Sequence, residues 1–192
     1  MELQIQDALD YAKTLINIPY RWYVEEKDDM NDGTDKFWCA NSPEPSFMDI
    51  INNDKSIVCT GLLNLLRRKY NLSIPGLNGN IYGKYQELYR KYPGGTGAWF
   101  LYLYQRKRLE KRNNTMKYPK GTLLLAKFRD NEQNQGHVAI VMDEQHLIHA
   151  RPDVSFANKD KVKNHGSVQI EPLSKMHDYT HVCYPEKWLI LD

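Results

Sequence analysis

The chain has only three cysteines, Cys39, Cys59 and Cys183, in 192 residues. They are too few and too scattered for a disulfide framework, and the odd number leaves at least one thiol free or intermolecular. Long apolar runs are missing as well. The start, Met1-Glu2-Leu3-Gln4, is polar and acidic with no hydrophobic stretch behind it. Neither a secretory signal nor a transmembrane span is therefore expected. That fits a cytoplasmic or virion-packaged chain, or the mature form of a secreted one. Surplus charge is the third absence. Lys and Arg number 26 against 24 Asp and Glu, a net charge of +2, so no global field argues for a nucleic-acid or membrane partner. No segment repeats another.

What is present is a globular composition, with 41% apolar and 11% aromatic residues. The length suits a single domain over residues 1–192 with a substantial core. Ile5, Ala8, Leu9, Ala12, Leu15 and Ile16 recur at helical spacing, and Pro19 stops them. Residues 23–56 change character: charges at Glu25 to Asp29, then Gly33, Pro43 and Pro45, mark a long irregular insertion. A second helix is expected from about Cys59 to Tyr70, with Leu62, Leu63 and Leu66 as its core stripe and Pro75-Gly76 beyond its end. Residues 81–114 read as a mostly helical, aromatic-rich insertion, broken at Pro93-Gly94-Gly95 and ending in the basic run Arg106 to Arg112.

From Pro119 the period changes to that of strands. They are expected at Thr122–Phe128, His137–Met142, His146–Ala150 and Ser167–Pro172, with a closing strand near Trp188-Leu189-Ile190. Helices first and strands later indicate an α+β domain, its N-terminal helices packed on an antiparallel sheet.

Cys59 is the chemically suggestive residue. It opens the second helix, where unpaired backbone N–H groups and partial positive charge bias a thiol toward thiolate. A base is then required, and two histidines offer one. His137 and His149 lie on neighbouring expected strands joined by Asp143-Glu144-Gln145. Strand side chains alternate faces, so either a direct or a diagonal register puts both imidazoles on one face, about 5 to 8 Å apart. One can take the thiol proton while the other fixes its tautomer and orientation. The alternative is a pair of half-buried sheet histidines with satisfied ring nitrogens.

Taken together, these segments resemble the NlpC/P60 family of papain-like cysteine peptidases. Ile18-Pro19-Tyr20-Arg21-Trp22 is similar to the family's Pro-Tyr-x-Trp motif after its opening helix. Val58-Cys59-Thr60-Gly61-Leu62 is similar to its Asp-Cys-Ser-Gly-Leu nucleophile motif. Tyr118 to Leu124 resembles the Pro-Gly-Asp-Leu lead into the sheet. Gly136-His137-Val138-Ala139-Ile140 and Ile148-His149-Ala150 follow in the family's order.

The resemblance implies a papain-like fold with Cys59 as nucleophile, His137 as general base and His149 as its orienter. It also implies that the Tyr20 hydroxyl points into the site, that Trp22 and Thr60 border the substrate, and that the Cys59 backbone N–H helps hold the oxyanion. The implied activity is hydrolysis of an amide bond in a cell-wall (peptidoglycan) peptide, often after a D-γ-glutamyl residue, with no cofactor and no metal. Val58 and Thr60 depart from the Asp and Ser of the motif, and no Gly-Gly follows Trp22. These changes touch the substrate pocket rather than the nucleophile and base. A non-catalytic binding module on the same fold, or an acyltransferase using the same thiol, are the rival functions.

Other signals carry less. Asp28 to Gly33 imitates a calcium loop, but Met30 and Cys39 fall where ligands are needed. A zinc site at Cys59, His137 and His149 has no evident fourth ligand. The basic run from Arg106 reads as a solvated helix face, interrupted by Glu110. The tryptophans read as core or rim residues, and His146, His165, His177 and His181 have no motif around them.

Overall fold

The computed structural model describes residues 2–20, 57–87, 94–126, 136–152, 166–175 and 178–189. Trp22, Trp38, Cys39, the 23–56 insertion with its calcium-like loop, His165, His177 and Ile190 lie outside the described residues.

Helix α1 spans Glu2–Thr14 and buries Ala8, Leu9 and Ala12. Leu15 continues that stripe one turn on and is fully buried. The chain turns at Asn17, whose φ of 72° is left-handed, and runs extended through Pro19 and Tyr20. There it touches two other segments: Pro19 bridges Ser167, and Tyr20 bridges Ile57 in parallel.

Helix α2, Cys59–Lys69, is the central helix, with nine of its eleven residues buried, Cys59 through Arg67. It packs against α1, against the sheet, and against α3, Thr96–Gln105. A helix covered on several sides must satisfy its polar residues internally. Asn64 donates Nδ2 to Gly94 O (3.1 Å) and accepts Trp99 Nε1 (2.8 Å). Arg67, fully buried, donates Nε to Ser73 O (2.6 Å) and a guanidinium N–H to Trp188 O, and its plane faces the rings of Trp99 and Tyr102. Both Trp99 and Trp188 are core residues, meeting edge to face at 6.2 Å.

Among the described residues the sheet has six antiparallel strands in the order β1-β6-β2-β3-β4-β5, where β1 is Glu110–Lys111, β2 Leu123–Ala126, β3 His137–Val141, β4 His146–Pro152, β5 Gly166–Pro172 and β6 His181–Cys183. The α+β architecture with an antiparallel sheet is as the sequence pattern indicates. Period-2 alternation divides the sheet's two faces. Leu123, Leu125, Val138, Ile140, Ile148, Ala150, Val168 and Cys183 join the helices in the main core. On the opposite face Leu124, Ala139, Val141, Leu147, Tyr179 and Val182 form a smaller cluster. No helix of the described residues is long and apolar enough to cross a membrane.

Two expectations need correction. Trp188 does not lie in a closing strand: Pro185–Trp188 is a short helix, α4, with Pro185 in its first turn. A proline lacks the N–H a sheet interior needs but suits a helix start. The last strand in chain order among the described residues is β6, inside the sheet, whose three residues are too few to display alternation in sequence. The basic run is not a helix face either. Helix α3 ends at Gln105, Lys107 adopts a left-handed φ of 55°, and the chain returns as strand β1. The Arg106 guanidinium lies 3.9 Å over the Tyr102 ring instead of extending into water.

Candidate active site

The hairpin between β3 and β4 sets the site's geometry. Asp143 Oδ1 accepts backbone N–H groups from Gln145 (2.8 Å) and His146 (2.9 Å), an Asx turn that closes the connection. Those donors, Gln145 first, hold the Asp143 carboxyl below its usual range. The closure sets Ile140 opposite Ile148 and Val141 opposite Leu147. Continued by parity, that register makes His137 and His149 diagonal neighbours on one face. They meet there, with His137 Nε2 3.0 Å from His149 Nδ1 and ring centroids 5.1 Å apart.

The β3–β4 ladder stops at Ile140, whereas β3 stays paired with β2 down to His137. The Val138 N–H, which by alternation with Met142 N–H points toward β4, therefore has no ladder partner there. The Cys59 thiol lies beside it: the backbone N–H dipoles of Thr60, Val138 and Cys59 itself all favour the ionised form of Sγ. The nucleophile candidate thus comes from the helix-covered side of the sheet and reaches the chain next to His137, where β3 and β4 part.

Electrostatics correct one expectation. Backbone donors at the helix start do pull the Cys59 thiol toward ionisation, but burial outweighs them and pushes it up to about 12. Cys59 is only 3% exposed. Burial, then the Arg151 charge, push His137 down to about 4. His149, fully buried, is driven lower still by burial, His137 and Arg151. At neutral pH the resting pair is a thiol and an imidazole, both uncharged.

The other expected residues are placed as follows. Thr60 is buried beside the thiol. Tyr20 is 2% exposed, and its backbone, joined to Gly166 O (2.8 Å) and bridging Ile57, fixes the stretch that leads into Cys59. Three residues were not singled out from sequence. Tyr179, 5% exposed, stacks on His137 (centroids 5.9 Å, 30°) with its hydroxyl 3.4 Å from His149 Nδ1. Burial first, then Cys59, push its phenol up. Glu171 Oε2 lies 3.7 Å from His149 Nε2 and 3.0 Å from Arg151 Nη1. Parity along β4 and β5 puts Arg151 and Glu171 on the His149 face, a signal readable in sequence. Tyr179 lies outside the helices and strands and offers none.

Among the described residues no three His, Cys, Asp or Glu side chains converge as a metal site would need. The two imidazoles direct facing nitrogens at each other. Comparison of the chain with models of protein families and with characterised proteins yields no match.

Proposed function

We propose that the protein is a thiol hydrolase that cleaves an amide bond through an acyl-enzyme, with Cys59 as nucleophile, His137 as general base and acid, and His149 as orienter. The observation that carries this reading is the 3.0 Å His137–His149 contact, one residue along β3 from Val138, whose backbone N–H acts on the helix-start thiol. Because His137 Nε2 is engaged by His149, Nδ1 is the nitrogen left to meet the thiol.

Sγ attacks the substrate carbonyl as its proton passes to His137 Nδ1. The oxyanion that forms lies near the α2 start, where backbone N–H groups can receive it. The intermediate collapses, the His137 proton leaves with the amine, and a thioester remains. Water then adds with His137 as base, which releases the acid and restores the thiol. An α+β frame with this constellation also suits a papain-like fold of the NlpC/P60 type. The family resemblance therefore makes a cell-wall peptide the substrate class to try first.

The test is turnover of D-γ-glutamyl peptides by the wild type, Cys59→Ala and His137→Ala, with folding followed by circular dichroism. Loss of turnover in both folded variants is expected; full activity in either refutes the assignment. One observation favours a second reading, a non-catalytic binding module: the thiol is 3% exposed and pushed up to about 12. Peptide binding without turnover, unchanged in Cys59→Ala, would select it.

A further inference from the structure

We propose that Glu171, anchored by Arg151, is a positioning residue that sets the tautomers of both imidazoles so that His137 presents a bare Nδ1 to the Cys59 thiol. This rests on the hydrolase reading above and adds to it a member that the triad lacks.

His149 Nε2 is a buried side-chain nitrogen with no hydrogen-bond partner among the described residues. The polar group it faces is Glu171 Oε2 at 3.7 Å, an oxygen already held 3.0 Å from Arg151 Nη1. On β5, Glu171 lies two residues beyond Gln169, the cross-strand partner of His149, so backbone register rather than a flexible loop sets this approach. An ionised carboxylate only accepts. A bare Nε2 would turn its lone pair toward the carboxylate's lone pairs inside a buried site, whereas Nε2–H turns a donor toward it. Glu171 therefore selects the Nε2–H tautomer of His149.

The rest of the line follows from that choice. With Nε2 protonated, His149 Nδ1 is an acceptor, and two groups sit ready to donate to it: His137 Nε2 at 3.0 Å and the Tyr179 hydroxyl at 3.4 Å. With Nδ1 bare, the Tyr179 phenol can donate its O–H to it. His137 must then be the Nε2–H tautomer, with the lone pair on Nδ1, as a base facing a thiol requires. In the opposite arrangement His149 would donate from Nδ1, His137 would carry its proton on Nδ1, and the thiol would meet a donor. The charged and titratable groups around His149 are thus Glu171, Arg151, His137 and Tyr179, with Cys59 acting on Tyr179. No proton moves past His137 during turnover; Glu171 acts by orienting.

The experiment is long-range proton–nitrogen NMR on histidine-labelled full-length protein without substrate at about pH 7.5, paired with the rate of Cys59 alkylation by iodoacetamide read by mass spectrometry. In the wild type both rings are expected to carry the proton on Nε2. Glu171→Ala is expected to populate Nδ1–H in His149 and His137 and to slow alkylation about tenfold. Losing the direct orienter of a triad costs about 10⁴-fold, and Glu171 acts one residue further away. Glu171→Gln keeps an acceptor oxygen and is expected to restore the wild-type tautomers. His149 protonated on Nδ1 in the wild type overturns the proposal even if no variant folds, and so do unchanged tautomers in a folded Glu171→Ala. If the tautomers behave as described and no peptide is turned over, the hydrolase reading fails while the positioning role stands. If Cys59→Ala abolishes turnover but Glu171→Ala leaves the tautomers alone, the reverse holds.

Discussion

Acid should weaken this fold through the buried imidazole pair, in an amount that can be worked out. His137 is pushed from 6.5 down to about 4, first by burial and then by Arg151. Its folded value is below its unfolded one, so the unfolded chain binds the extra proton between those limits. Stability is then fully present above about pH 6.5 and falls as the pH drops toward 4. At about 1.4 kcal/mol per pH unit, the gap amounts to roughly 3 kcal/mol at full titration and roughly 2 kcal/mol by about pH 5. His137 is half-buried, and that solvent contact pulls both figures down rather than up. His149 titrates in the same direction and adds to the loss. The depressed carboxyls of Asp10 and Asp143 titrate below their ordinary 3.8, outside the window from pH 8 to 5. The assay is urea unfolding of wild type and His137→Gln at about pH 8 and about pH 5. Wild type is expected to lose about 2 kcal/mol more than the variant across that interval. Equal losses would mean that His137 is not held neutral by burial, and the uncharged resting pair would have to be abandoned.

Three further outcomes follow from the same structure. Because burial pushes Cys59 up to about 12, the ultraviolet difference spectrum between wild type and Cys59→Ser should show no thiolate absorbance at neutral pH. A full thiolate signal near pH 7 would contradict a neutral thiol. Replacing Asn64 with Ala leaves Gly94 O and Trp99 Nε1 without their partner inside the core, a loss of about 2 to 4 kcal/mol in denaturant unfolding; a loss under about 1 kcal/mol would show that water or rearrangement replaces it. Gly121 has a φ of +80°, and a Cβ there would come within 2.9 Å of Ile5 Cγ2 and 3.1 Å of Pro185 Cβ. Gly121→Ala should therefore cost about 2 kcal/mol and lower Tm, and an unchanged Tm would refute the close approach of α1 and α4.

The extent to which the site was legible differs from residue to residue. Cys59 stood out because a thiol ahead of an apolar helical stripe is a local pattern. His137 and His149 could be paired because strand parity and a three-residue connection leave only direct or diagonal registers, both on one face. The structure selects the diagonal one, through the Asp143 turn. The ionisation state of the thiol was misread for a physical reason. Backbone donors at a helix start are visible in sequence, but the depth of burial that outweighs them depends on what packs over Cys59. Likewise the basic run from Arg106 looks solvated by composition, yet its first guanidinium lies over Tyr102 once α3 ends.

What the sequence determined by itself is whatever periodicity and local chemistry carry. That covers the α1 and α2 stripes, the β2 to β5 segments, the α+β class, and the candidate roles of Cys59, His137 and His149. Tertiary structure alone decided the sheet order and the insertion of three-residue β6 between β1 and β2. It also decided the parting of β3 and β4 that leaves Val138 N–H beside the thiol, and the approach of Tyr179 to His149 and His137. These depend on contacts between residues distant along the chain, and on desolvation, which no local window of sequence contains.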